Sequence, residues 1–278
     1  MRPSAAGYDP SLPEVVANPY PWYELLRSDE PCHYLADRDT YVISRYYDVV
    51  RIATELPPPE TPAPVVPPDF TRQVHTIAAG FVDAMLAKGD QAFDLVEVLA
   101  RPFPLAVADA LGQPSGHGAA AVTDVIGNAT LTLMADPLQW RAVQNERGLV
   151  PCLIEECLRY EPPVHGRTAT TTAATDVDGT KIPPGASVLL LFGSANRDPA
   201  HYPEPDRFEP SRNPVDHVGF GAGGLVCPGA ALARIEAGAM AGAILDRVAA
   251  IRPAGPWERT TEPLTRGVTT LPVTVEPR

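Results

Sequence analysis

The chain has 278 residues, 45% of them hydrophobic and 20% charged, the balance of a globular protein. Its formal net charge of -12 argues against nucleic acid or an anionic membrane as a partner, because both select a basic face. Residues 1–20 hold neither an apolar core nor a cleavage signal, so no signal peptide or membrane span is expected and the expected location is the cytoplasm.

In chain order, residues 21–27 read as a short amphipathic helix with a proline near its start. Residues 40–44 are aromatic and β-branched and read as a strand. A second short helix is expected over 47–55. Residues 56–68 (LPPPETPAPVVPP) carry too many prolines for a helix or a central strand and form a polyproline-like connector. From Phe70 the apolar residues Val74, Ile77, Phe81 and Met85 recur at helical spacing, which predicts a helix to about 87, ended by Gly89. This stripe reads as ordinary core. Residues 92–112 form a shorter apolar run broken by Pro102 and Pro104, and 113–118 are a turn-rich break.

A further helix is expected over 119–134. Asp136-Pro137 reads as the cap and first turn of the next one, to about 146. Residues 150–160 form a helix with Glu156 and Arg159 three apart on one face, where they can pair. Residues 167–177 and 187–192 are strand candidates around a turn at Pro183-Pro184-Gly185. Residues 195–199 and 203–214 read as loop. The stretch 217–240 joins a glycine-rich loop ending on Cys227 to a long helix expected to reach about 251, and 271–275 is a closing strand. Helices outnumber strands. The expected architecture is one mainly α domain with small β-sheets, in three parts: a helix and sheet portion over 1–55, the connector over 56–68 and a helical core over 69–278.

Cys227 stands just ahead of a helix N-terminus, among glycines whose N–H groups can approach sulfur. Such surroundings favour thiolate, the form that ligates iron or attacks electrophiles. Pro228 suits the first turn of that helix. The other cysteines, Cys32, Cys152 and Cys157, make no Cys-x-x-Cys pair, which weakens zinc-ribbon and thioredoxin-like readings. Cys152 and Cys157 read as core and Cys32 as an unremarkable thiol. His33, His75, His117 and His201 read as surface or loop residues, while His165 and His217 flank the cysteine stretch.

These motifs, taken in order, resemble the soluble bacterial type of the cytochrome P450 heme-thiolate family. Glu156-Cys157-Leu158-Arg159 matches its Glu-x-x-Arg. Ala195-Asn196-Arg197-Asp198-Pro199 and Pro205-Asp206-Arg207-Phe208 match the segments that follow. Phe220-Gly221-x-Gly223-x-x-x-Cys227-x-Gly229 matches its ligand loop, and Ala231-Leu232-Ala233-Arg234-Ile235-Glu236 the helix after it. Asn18 to Trp22 and Tyr41 to Tyr46 match its opening helix and first sheet more loosely. The resemblance implies a P450-like fold in shortened form and a heme b (iron-protoporphyrin IX) cofactor. Cys227 would be the iron's thiolate ligand. Phe220, Gly221, Gly223 and Gly229 would shape the loop, Arg167 would pair a propionate, and Glu156, Arg159 and Arg207 would form a buried structural triad. It implies oxidative tailoring of a small, mainly apolar molecule, as in secondary metabolism, with dioxygen and a separate ferredoxin-type electron donor, since no flavin or nicotinamide motif is present.

The chain departs from that pattern in three ways. The connector stands where the family has a distal loop and a heme-clamping helix, and 113–117 where it has the two helices over the substrate pocket. The family's acid and alcohol, which relay protons to dioxygen, become Ala120 and Ala121, and neither side chain moves a proton. Leu225 stands where the family has His or Arg two residues before the cysteine. The alanines favour an oxygen-independent or peroxide-using heme-thiolate enzyme, such as an isomerase or cyclase. Leu225 favours a heme-free binding scaffold. Both stay open beside the monooxygenase reading, and no catalytic residue is assigned.

Overall fold

The computed structural model describes residues 4–113 and 118–278. The turn expected at 113–118 falls, apart from its two ends, outside the described residues, and so does His117. The described chain opens with α1 (Pro13–Ala17) and α2 (Tyr20–Asp29), each with proline in its first turn. A tight hairpin follows, β1 (Cys32–Leu35) and β2 (Thr40–Ile43), with Asp39 left-handed at its turn. Next come α3 (Tyr46–Glu55) and the connector, which carries neither helix nor strand over 56–67. The helical portion begins with α4 (Phe70–Leu86), then β3 (Phe93–Asp94), a π turn over Val96–Ala100, and α5 (Pro102–Ala110).

Three helices follow: α6 (Ala119–Ala135), α7 (Pro137–Asn145) and α8 (Val150–Tyr160). Next are β4 (Arg167–Thr170), β5 (Thr175–Val177), β6 (Thr180–Ile182), β7 (Ser187–Leu190) and the single turn α9 (Phe192–Ala195). The long α10 (Ala230–Arg247) leads into β8 (Val248–Pro253), β9 (Glu258–Arg259), β10 (Val268–Thr270) and β11 (Pro272–Pro277). No helix among the described residues is long and apolar enough to cross a membrane.

Two expectations from the pattern change. The strand expected over 167–177 breaks into β4 and β5. At the break Thr171 Oγ1 donates to Pro183 O at 2.7 Å and Gly185 N–H donates to Thr171 O, so this backbone bonds the turn instead of continuing the ladder. The last helix stops at Arg247, not near 251. Val248 and Ile251 are buried on one face of β8, which pairs antiparallel with β11. Pairing with a distant strand overrides the helical reading of that apolar run.

One sheet ties the first part of the chain to its middle. Its order is β1-β2-β7-β4, with β2 and β7 parallel and Ile43 opposite Leu190. The main core lies among α4, α5, α6, α8 and α10, where Val74, Val82, Phe103, Leu153 and Met240 are fully buried. Burial of such side chains is the chief stabilising term, about 1.5–3 kcal/mol each. A second core lies between α3 and the four-stranded sheet, around Val49, Ile52, Val188 and Leu190. His33, expected at the surface, is buried edge-on to the Tyr8 ring. His201 stacks on Tyr46, ring centroids 3.5 Å apart.

The cap read at Asp136 forms. Its Oδ1 accepts from Leu138 N–H at 3.1 Å and Gln139 N–H at 3.2 Å, two donors that α7 would otherwise leave unsatisfied. Asp136→Ala is expected to lower the unfolding free energy by about 1 kcal/mol, and Asp136→Asn to keep most of it, as read by chemical denaturation.

Candidate functional site: the Cys227 loop

The loop is a tight backbone knot. Gly221 is left-handed at φ 78°, and a Cβ there would lie 2.2 Å from Leu225 O. Residues Gly223–Leu225 make one 3-10 turn. Cys227 N–H reaches back to Phe220 O at 2.7 Å, which closes the loop and presents the thiol ahead of α10. The thiol is free and half-buried. A Cβ on Gly229 would meet only Cys227 Sγ within 4 Å, at 3.8 Å, so the small residue leaves one side of the sulfur open. Gly223 is also left-handed, and its absent side chain admits Ala53 O.

A second layer beneath the loop was not read from the sequence. Glu155 receives Arg234 Nε and Nη2 at 2.7 and 2.9 Å and lies 3.0 Å from His217 Nε2. Gly219 N–H donates to His217 Nδ1 at 2.9 Å, so Nδ1 is the acceptor and Nε2–H donates to Glu155. The Arg234 guanidinium also lies 4.7 Å over the Phe220 ring. These contacts hold both ends of the loop to α8 and α10. Burial alone would raise the Glu155 carboxyl, but the bonds from His217 and Arg234 outweigh it and hold it at about 2, against an ordinary 4.5. The stability this contributes is present above pH 4.5 and is lost as pH falls toward 2, on the order of 1–2 kcal/mol once solvent screens the partly exposed group. Glu155→Gln is therefore expected to flatten the dependence of unfolding free energy on pH between about 4.5 and 2, as read by denaturation at a series of pH values.

The next residue, Glu156, carries the structural centre, with one correction to the expected triad. Glu156 and Arg159 are fully buried and pair through two bonds, 2.7 and 2.9 Å. The Arg207 guanidinium does not join them. It points to solvent, toward Glu204 and Glu209, and only its carbonyl oxygen accepts from Arg159. Arg212 takes its place, with Nε 3.3 Å from Glu156 Oε1. Arg207 reached the triad through its motif, whereas the loop at 203–212 turns so that the arginine five residues on faces inward. Arg159 spends its remaining donors on the carbonyls of Asn196 and Pro205. Glu156→Ala is expected to cost about 3–5 kcal/mol because it strands a buried guanidinium, while Arg207→Ala costs about 1 kcal/mol or less; thermal unfolding of the two variants separates them.

Arg167 opens β4 opposite Leu190, and its exposed side chain makes no hydrogen bond or ion pair to any described residue. Leu225 packs with Ala222 against the α3 core. Ala120 is exposed and Ala121 half-buried in the first turn of α6. Their neighbours are engaged elsewhere. Thr123 Oγ1 bonds Ala100 O and Ala119 O. Asp124 packs against Gly267, and burial, opposed by Arg259, raises its carboxyl to about 6. His165 is buried, with Nδ1 3.1 Å from Tyr23 OH, and burial lowers it to about 3. Cys32 and Cys157 are buried and Cys152 is half-buried. Glu236 of α10 is buried with Oε2 unbonded, and burial raises it to about 8.

A heme-thiolate centre needs a soft anionic ligand on an approachable backbone and cations for its propionates. The half-buried thiol beside Gly229 and the unpaired Arg167 fit the first need fully and the second once; Leu225 offers no cation. The family model for cytochrome P450 matches residues 126–272. A beta-dihydromenaquinone-9 omega-hydroxylase of Mycobacterium tuberculosis is 39% identical over 161 residues, 58% of this chain and 33% of that protein. Cytochrome P450 107B1 of Saccharopolyspora erythraea is 39% identical over 183 residues, 64% of this chain and 42% of that protein. The chain thus matches between a third and a half of the length of these relatives. Cytochrome P450 CYP109Q5 from Chondromyces apiculatus superposes over 99% of each chain with a TM-score of 0.84 at 24% identity, a likeness of fold.

Proposed function

The chain belongs to the cytochrome P450 family, and from that we propose that it is a heme-thiolate oxidoreductase of the monooxygenase class acting on a small apolar organic molecule. The observation that carries this is the Cys227 loop: a free, half-buried thiol on a backbone closed by its own N–H, ahead of α10 and beside a glycine. Heme b would be held by Cys227 at the iron and by Arg167 at a propionate, and when bound it supplies the redox chemistry. Glu155, His217 and Arg234 hold the loop that presents the sulfur. Electrons would come from a separate, ferredoxin-type protein.

A specific observation favours a second reading. Ala120 and Ala121 carry no proton donor, the Thr123 hydroxyl is committed to Ala100 O and Ala119 O, and the Asp124 carboxyl lies against Gly267. Proton delivery to dioxygen from α6 is then unsupported, which favours a peroxide-using or oxygen-independent reaction, such as an isomerisation or cyclisation. Tightly coupled consumption of reductant and dioxygen would decide for the monooxygenase.

The first test is the absorption spectrum of the heme-supplemented protein, reduced and exposed to carbon monoxide. The strongly red-shifted band of a thiolate-ligated carbonyl complex is expected, and Cys227→Ala should abolish it. A colourless protein would refute the proposal and leave a heme-free scaffold. Arg167→Ala is expected to weaken heme retention about tenfold to a hundredfold, the equivalent of one lost charge-assisted hydrogen bond, measured by heme transfer to an acceptor protein.

A further inference from the structure

The Cys227 loop is gripped from outside as well as from below. α3 lies along it from one end to the other. At the start of α3, Tyr46 OH donates to Asp216 O at 2.7 Å, and Tyr46 N–H donates to Asp198 Oδ2 at 2.9 Å. Midway, Val49, Ile52 and Ala53 are buried in one cluster with Val218, and Ala222 and Leu225 pack against it. At the far end the two backbones touch. A Cβ on Gly223 would lie 2.2 Å from Ala53 O, and a Cβ on Gly224 would lie 2.2 Å from Pro57 O and 2.8 Å from Leu56 Cβ. Carbonyl oxygens at that distance do not yield as the tip of a flexible side chain does. α3 is fixed in turn: Arg51 bonds Thr175 and Asp176, and Thr172 Oγ1 bonds Glu55 O.

We propose that α3 and the first residues of the connector, Leu56 and Pro57, are a brace that sets the Cys227 loop, with Gly224 as a positioning residue. Leu225 belongs to the same device. In place of the family's cation, an apolar side chain anchors the loop in the α3 core. The brace is where the connector begins, so a change of tension in 56–68 acts on the loop that presents the sulfur. The consequence for catalysis rests on Cys227 being the heme ligand, but the brace stands on contacts within the chain.

The test therefore uses no heme. Cys227 and Cys152 are both half-buried, one on the loop and one on α8, and alkylation of each is followed by mass spectrometry of its peptide. Gly224→Ala is expected to speed alkylation of Cys227 about tenfold, through local opening of the loop, and to leave Cys152 unchanged. Gly80→Ala is the control, since nothing stands within 4 Å of a Cβ at that position. Pro57→Gly, which loosens the connector without adding bulk, should act in the same direction by a smaller factor. Equal acceleration of both thiols would mean general loosening and would overturn the proposal. So would an unchanged Cys227 rate. If Gly224→Ala does not fold, Pro57→Gly decides alone, and an unchanged ratio of the two rates overturns the brace. A protein that takes up no heme but shows selective opening keeps the brace and loses the heme reading.

Discussion

A carboxylate and a guanidinium sealed from water organise the second half of this chain. Arg159 has five N–H donors, and they go to Glu156 twice and to the carbonyls of Asn196, Pro205 and Arg207. Glu156 also takes Glu209 N–H and Arg212. A buried pair contributes little net stability when its partners merely balance the cost of desolvation, and it is costly to break. Its use here is geometric. One turn of α8 fixes the path of a long stretch, 196–212, that has little regular structure of its own. Because every donor is satisfied only in this arrangement, other paths of the same loop would leave a buried charge without partners.

That stretch delivers the chain to the thiol loop, and the adjacent residue of α8 continues the work. Neighbouring helix positions point about 100° apart, so Glu155 faces away from Glu156 and reaches His217 and Arg234. With α3 on the opposite side, the loop between Asp216 and Cys227 is held by α8 and α10 beneath and by α3 above. The sulfur is then positioned by backbone contacts of its loop together with the His217, Phe220 and Leu225 side chains. Glycines occur where two backbones meet. Their role at 223 and 224 is to admit Ala53 O and Pro57 O.

The family's fold is kept in a chain that matches less than half of the length of these relatives. Two features of the usual oxygen chemistry differ. The start of α6 offers alanines where a proton relay would need an acid and an alcohol, and the loop offers Leu225 where a cation would meet a propionate. The first bears on which reaction the centre supports. The second bears on how tightly a heme would be held, and it coincides with apolar packing of Leu225 against the α3 core. Glu236 adds a buried carboxyl that is protonated at neutral pH because burial disfavours its charged form.

Local pattern determined much of this protein. Helices at 70–86, 119–135 and 150–160 follow from apolar spacing, the cap at Asp136 from its own side chain, and the pairing of Glu156 with Arg159 from a three-residue separation on one helix. Cys227 and its glycines stood out because a thiol, a glycine-rich turn and a helix start are contiguous. Tertiary structure decided what depends on residues far apart in the chain. Arg212, not Arg207, faces Glu156 because the loop turns about its carbonyl bonds. Residues 248–253 are a strand because β11 is there to pair with them. The Glu155, His217 and Arg234 layer joins positions up to 79 apart. The role of Gly224 is invisible without Pro57 beside it. Spacing along one element is written in the sequence, whereas which carbonyl or carboxylate lies opposite is fixed only when the elements pack.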